Sequence, residues 1–189
     1  SVLAAGIPFL FLPVFTQYLS PAEFGHVGLF QSVYTVFLAI CGLGISGSIV
    51  RQSYDVNAKE TGIYVFNSLL ILLVTTLGLS ILLWIIGGHL SDWLKIPSEY
   101  FYSALITAAM VFILNTLLGQ FQVAQKPLHY GMTQIGHSCL TVALSLSGII
   151  VFAAGAMGRI GGMVLAAVVF GLGSLIALRS IGRLIYKIN

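Results

Sequence analysis

The chain has 189 residues, 58% of them hydrophobic and only 7% charged, and its mean hydropathy is +1.04. A soluble domain carries about 25% charged residues, so these side chains cannot clothe a water-facing surface, and lipid is the expected solvent. The formal charge of +3 comes from eight Lys and Arg spread along the chain, not gathered in a stripe, which excludes a nucleic-acid footprint.

Between charged residues the chain runs uncharged over 1–22, 24–50, 61–91, 100–125, 127–158 and 160–178. Each run reaches the roughly 17–25 residues that a helix needs to cross a bilayer. The expected fold is all-α and integral to the membrane. It is a six-transmembrane-helix bundle over 1–189, with helices at about 1–18, 24–49, 62–87, 100–124, 129–153 and 159–180. Ser1 opens inside an apolar run with no basic segment or small-residue cleavage site, so no signal peptide is expected and the first helix reads as truncated. The basic cluster just before Asn189 reads likewise as the edge of a segment of something longer.

In the first helix, Pro8 and Pro13 each remove an intrahelical hydrogen bond, which predicts a kink. The first break follows at Leu19 to Gly25. There Ser20 is placed as an N-cap, Pro21 sits where a missing N–H costs nothing, and Glu23 completes a capping box. The second break, Arg51 to Glu60, is the most polar stretch and reads as a solvated loop or a helix extension. In the third, His89 to Tyr100, charged and apolar residues alternate around Trp93, the pattern of a short interfacial segment. The fourth, Gln125 to His129, and the fifth, Ala154 to Arg159, are tight and make their neighbours antiparallel. Counting alternate sides, Lys95 and Arg159 fall on one face of the membrane, and Arg51, Lys59, Lys126, Arg179, Arg183 and Lys187 on the other. Basic residues in short loops favour the cytoplasm, so the second group and the amino end are expected inside.

Small residues recur every fourth position at Ala154, Gly158, Gly162 and Ala166, a pattern that lets helix backbones approach closely in lipid. Cys41 and Cys139 lie in apolar runs with no partner spacing and read as small core residues. Polar side chains inside spans are the best pointers to function. Here they are Gln31, Asn67, Asn115, Gln120, Gln122, Gln134 and His137. Asn115 and Gln122 share a face of the fourth helix, while Gln134, His137 and Thr141 share one of the fifth. The tight link would let the two faces meet, as interhelical glue or as the lining of a solute cavity. Arg51 and Arg159 sit at expected helix ends, where each suits phosphate by its planar fork or snorkels to the interface. No phosphate-binding loop, zinc signature, nucleophile elbow or Cys/His cluster is present, and no loop is long enough for an active-site domain. Neither an enzyme nor a metal or cofactor site is expected.

The stretch from Gly6 through Pro8, Pro13, Thr16, Gln17, Leu19, Pro21, Glu23, Phe24 and Gly25, followed by a helix closing on Gly42, Gly44, Gly47 and Arg51, resembles the opening of polysaccharide biosynthesis flippases. These are the O-antigen and teichoic-acid type exporters of the multidrug/oligosaccharidyl-lipid/polysaccharide superfamily. Gln17 departs from the family pattern, which usually has Arg there. Farther on, Gln122, Gln125 and Tyr130 look similar to the family's Gln-rich stretch.

The resemblance implies the N-terminal lobe of a transporter of 12–14 helices in a bacterial cytoplasmic membrane, completed by a C-terminal lobe. It implies export of an undecaprenyl-pyrophosphate-linked oligosaccharide by alternating access. On that reading Arg51 offers positive charge near the cytoplasmic mouth, and Gln31, Asn115, Gln122 and His137 offer hydrogen bonds to the headgroup. The alternatives are a multidrug or toxin cation antiporter of the same superfamily, an integral-membrane glycan polymerase, and a noncatalytic scaffold subunit. The antiporter needs a carboxylate within a span, whereas all five acids lie at breaks.

Overall fold

The computed structural model describes residues 2–42, 58–95 and 97–180. They form α1 (Val2–Leu10), α2 (Leu12–Tyr18), α3 (Pro21–Gly42), α4 (Ala58–Leu94), α5 (Glu99–Val123), α6 (Pro127–Ile150) and α7 (Gly155–Ser180), with no strand among the described residues. Among the described residues, five helices are long and apolar enough to cross a membrane: α3, α4 from Thr61, α5, α6 and α7. The first of the six expected spans is instead two short helices meeting at Phe11 (φ −90°, ψ −1°). Pro13 has no N–H to return to the carbonyl of Phe9 and its ring crowds that turn, so the helix restarts with Pro13 in the first turn of α2.

α3 begins with the expected capping box. The backbone N–H of Ser20 donates to Glu23 Oε2 at 2.9 Å, its hydroxyl donates to the same oxygen at 2.7 Å, and the Glu23 N–H donates back to Ser20 Oγ at 3.3 Å. α4 departs most from expectation. Its 37 residues run through His89 and Trp93 to Leu94, so the stretch around Trp93 is the last turns of a helix and not a separate segment. No proline interrupts it before Pro97, and nothing lies within 4 Å of the Gly87 or Gly88 Cβ positions to force a turn. At ~1.5 Å per residue α4 is about 55 Å long, well beyond the ~30 Å hydrocarbon core.

α5 lies at the centre, with two thirds of its span buried. Phe101, Ala104, Leu105, Ala108 and Phe112 pack there against Val27, Phe30, Phe37 and Cys41 of α3 and Ile160 of α7. α1 and α2 lie on α6, where Phe15 and Leu19 meet Val142 and Ile149. Outward the helices present Leu73, Leu77, Ile81, Trp84, Leu165 and Ile176, a surface that lipid solvates and water does not. Cys41 is buried as expected, but Cys139 is on the exposed side of α6.

The small residues of α7 hold the tightest contact in the bundle. A Cβ at Gly158 would strike the backbone of Gly148, and one at Gly162 would strike the backbone of Leu144 and Ser145, so α6 and α7 touch main chain to main chain. Ala166 is fully buried in the same row. This contact orients the polar face of α6 and the first turns of α7.

Candidate functional site

α7 starts at Gly155, four residues before the expected position, so Arg159 lies one turn inside the helix. The main-chain contact with α6 then sets Ser145 beside it, and the Ser145 hydroxyl donates to the Arg159 carbonyl at 3.1 Å. Phe15 arrives from α2 and lies under the guanidinium, with Cζ 3.6 Å from the ring centroid. Arg159 is only 8% exposed, and its Nε and Nη1 donors have no hydrogen-bond partner. Snorkelling to the interface is therefore not what this arginine does.

The side chain borders a partly open cavity of about 110 Å³ lined by Pro8, Phe15, Gln31, Thr141, Val142, Ser145, Arg159 and Met163. Two elements explain its shape: the helix break in α1/α2 supplies Pro8 and Phe15 as one wall, and α6 turns Thr141 and Ser145 inward from successive turns. At about 30 Å³ per water, the space holds roughly three waters or one tetrahedral anionic group. Isolating a cation here costs on the order of several kcal/mol, of which the Phe15 face offsets about 2 kcal/mol. The remaining cost and the two orphan donors favour an anion, which an arginine fork can bind bidentately.

The five residues singled out from the sequence do not converge on one site. Gln31 joins Arg159 at the cavity. Arg51 lies outside the described residues. Asn115 is exposed on α5. Gln122 is also exposed and belongs to a separate cleft of about 300 Å³ at the α5–α6 turn, with Phe121, Gln125, Lys126, Pro127 and Tyr130. His137 is half-buried and meets Phe170 of α7 edge-on, ring centroids 5.4 Å apart, with Nε2 unpartnered. The expected pairing of the Asn115/Gln122 face with the His137 face does not form at His137, because the glycine contact turns that part of α6 toward α7. The expected face of α6 does exist: Thr141 donates to the His137 carbonyl at 2.8 Å, and Ser145, one turn further along, continues the row into the cavity. Gln120, with both amide atoms buried and unpartnered, lines neither this cavity nor the cleft.

Phe15 and Ser145 were not recognisable from the sequence as site residues, and Arg159 was misplaced by a helix boundary. The usable signal was the row Ala154, Gly158, Gly162. Taken as helix from Gly155, just after its first member, the row puts Arg159 beside the packing face and inside the bundle. No curated protein and no solved structure matches the chain. The sequence model of the polysaccharide biosynthesis proteins matches residues 1–188, and with a match over almost its full length the chain belongs to that family.

Proposed function

We propose that this chain is one lobe of an exporter that moves a lipid-linked oligosaccharide, carried on an undecaprenyl-pyrophosphate-type anchor, across a bacterial cytoplasmic membrane by alternating access. The observation that carries this reading is Arg159: a buried guanidinium with two unpartnered donors, stacked on Phe15 and bordering a cavity with Gln31, Thr141 and Ser145. The cavity accommodates a phosphate-sized group, while the sugars and the lipid tail stay outside it. Thr141 and Ser145, one turn apart on α6, line the cavity and give the headgroup successive hydrogen-bonding positions, whereas His137, packed against Phe170, stands apart from them. Asn115 and Gln122, both exposed, face the second lobe on this reading, and Arg51 supplies positive charge at the cytoplasmic mouth. A cation antiporter is disfavoured because the charge at this cavity is positive and would repel its cargo.

The test is export by the full-length gene in a strain lacking its flippase. Arg159→Met keeps a long apolar stem over Phe15 but removes the charge. It is expected to lower surface polysaccharide at least tenfold, equivalent to about 1.4 kcal/mol, at unchanged protein abundance, with Arg159→Lys intermediate because its single ammonium lacks the planar fork. Wild-type export by Arg159→Met at normal abundance would refute the reading.

A further inference from the structure

The first turn of α7 has no local cap. Ala154 precedes it and has no side-chain acceptor, so the N–H groups at the start of the helix need a partner from elsewhere. Glu23 of α3 is placed to provide it. Its carboxylate already closes the α3 capping box through Oε2, and the Ala156 backbone N–H at the start of α7 lies near enough to favour its charged form. Oε1 lies directly on Gly155, where any Cβ would collide with it, and Gly155 has φ +51°, a conformation suited to glycine. One carboxylate therefore serves the positive ends of two helices.

The position of α7 matters because Arg159 is one turn beyond Gly155 and stacks on Phe15, five residues before Ser20 in the segment that leads into α3. The Glu23 contact and the Phe15–Arg159 stack tie the same two stretches of chain together, one above the other. We propose that Glu23 is a positioning residue. By capping α7 from across the bundle it holds Arg159 over Phe15 at the cavity, and its effect on the headgroup rests on the reading of Arg159 given above.

Glutamine separates the two tasks of Glu23. The Gln side chain still completes a capping box with Ser20, but with its one carbonyl oxygen so engaged it turns an NH₂ donor toward the Ala156 N–H. The experiment uses the full-length protein in lipid nanodiscs, with Cys139→Ser to remove the exposed thiol and Ser145→Cys as a buried reporter beside Arg159. Glu23→Gln is expected to raise maleimide labelling of the reporter about tenfold, through local opening of the α7 start, while Ser20→Ala leaves the rate unchanged. Gly155→Ala, which displaces the carboxylate sterically, is expected to raise labelling as well and serves if Glu23→Gln folds poorly. With native Ser145, inorganic pyrophosphate measured by calorimetry is expected to bind Glu23→Gln about fivefold more weakly than wild type, with Gln17, Gln31 and all other residues unaltered. Labelling that stays at the wild-type rate in both Glu23→Gln and Gly155→Ala overturns the proposal. So does raised labelling with unchanged pyrophosphate affinity, because the contact would then support the fold without positioning Arg159. If the wild type binds no pyrophosphate while Glu23→Gln raises labelling, the headgroup reading fails and the positioning of α7 by Glu23 stands.

Discussion

Gln125 pays a conformational cost that its sequence does not advertise. It has φ +52° at the end of α5, with its N–H donating to the Gln122 carbonyl at 3.1 Å and the Lys126 N–H reaching back to Phe121 at 2.9 Å. That pair of bonds is a Schellman closure, in which glycine is the usual residue because the left-handed conformation crowds a Cβ. Gln125→Gly is therefore expected to stabilise the protein by about 1 kcal/mol, read as a higher unfolding midpoint in mixed micelles. An unchanged or lower midpoint would mean that the Gln125 side chain contributes more in the cleft with Lys126 and Tyr130 than its backbone loses. Legibility at this scale depended on locality. Ser20 and Glu23 are three residues apart, and their mutual bonds were readable as a spacing. Arg159 was not readable, because an error of four residues in a helix start separates an interfacial arginine from a buried one.

Among the elements, α6 and α7 form the closest pair, and their glycines are not equivalent. Gly158 meets the Gly148 backbone, whereas nothing lies within 4 Å of a Cβ at Gly161. Gly158→Ala is expected to cost about 1–3 kcal/mol by pushing two backbones apart. Gly161→Ala is expected to be neutral or to stabilise by up to about 1 kcal/mol through helix propensity. Thermal unfolding of the two purified variants decides it, and equal midpoints would deny the backbone contact. The fourfold spacing of Ala154, Gly158, Gly162 and Ala166 announced a packing face in the sequence, but not that α6 was its partner. The opposite failure occurred in α1 and α2. Two prolines announced a kink, and the outcome was a full break, because Pro13 removes its bond in a segment too short to bridge the gap with later turns.

At the scale of the whole molecule, the contacts sort the charges onto two ends. Glu23 lies against Gly155, and the His26 ring stands 6.5 Å from that of Tyr100, so the starts of α3, α5 and α7 share one end. The α5 and α7 termini meet at the other, where Phe121 and Ala177 line one groove. Lys95 is thus at the first end and Lys126 and Arg179 at the second. With six of the eight basic residues expected on the second side from the sequence, Lys126→Cys is expected to label from the cytoplasmic face and Lys95→Cys only from outside; the reverse pattern would invert the orientation. By itself the sequence determined the solvent, the helical class, the capped start of α3 and the family resemblance, because each depends on composition or on residues a few positions apart. The tertiary structure alone decided that Arg159 is buried over Phe15, that Gln31 rather than Asn115 stands with it, and that Glu23 of α3 lies against Gly155 at the start of α7. Those facts join residues up to about 150 positions apart in the chain, and close packing, unlike local spacing, is a property of all the helices together.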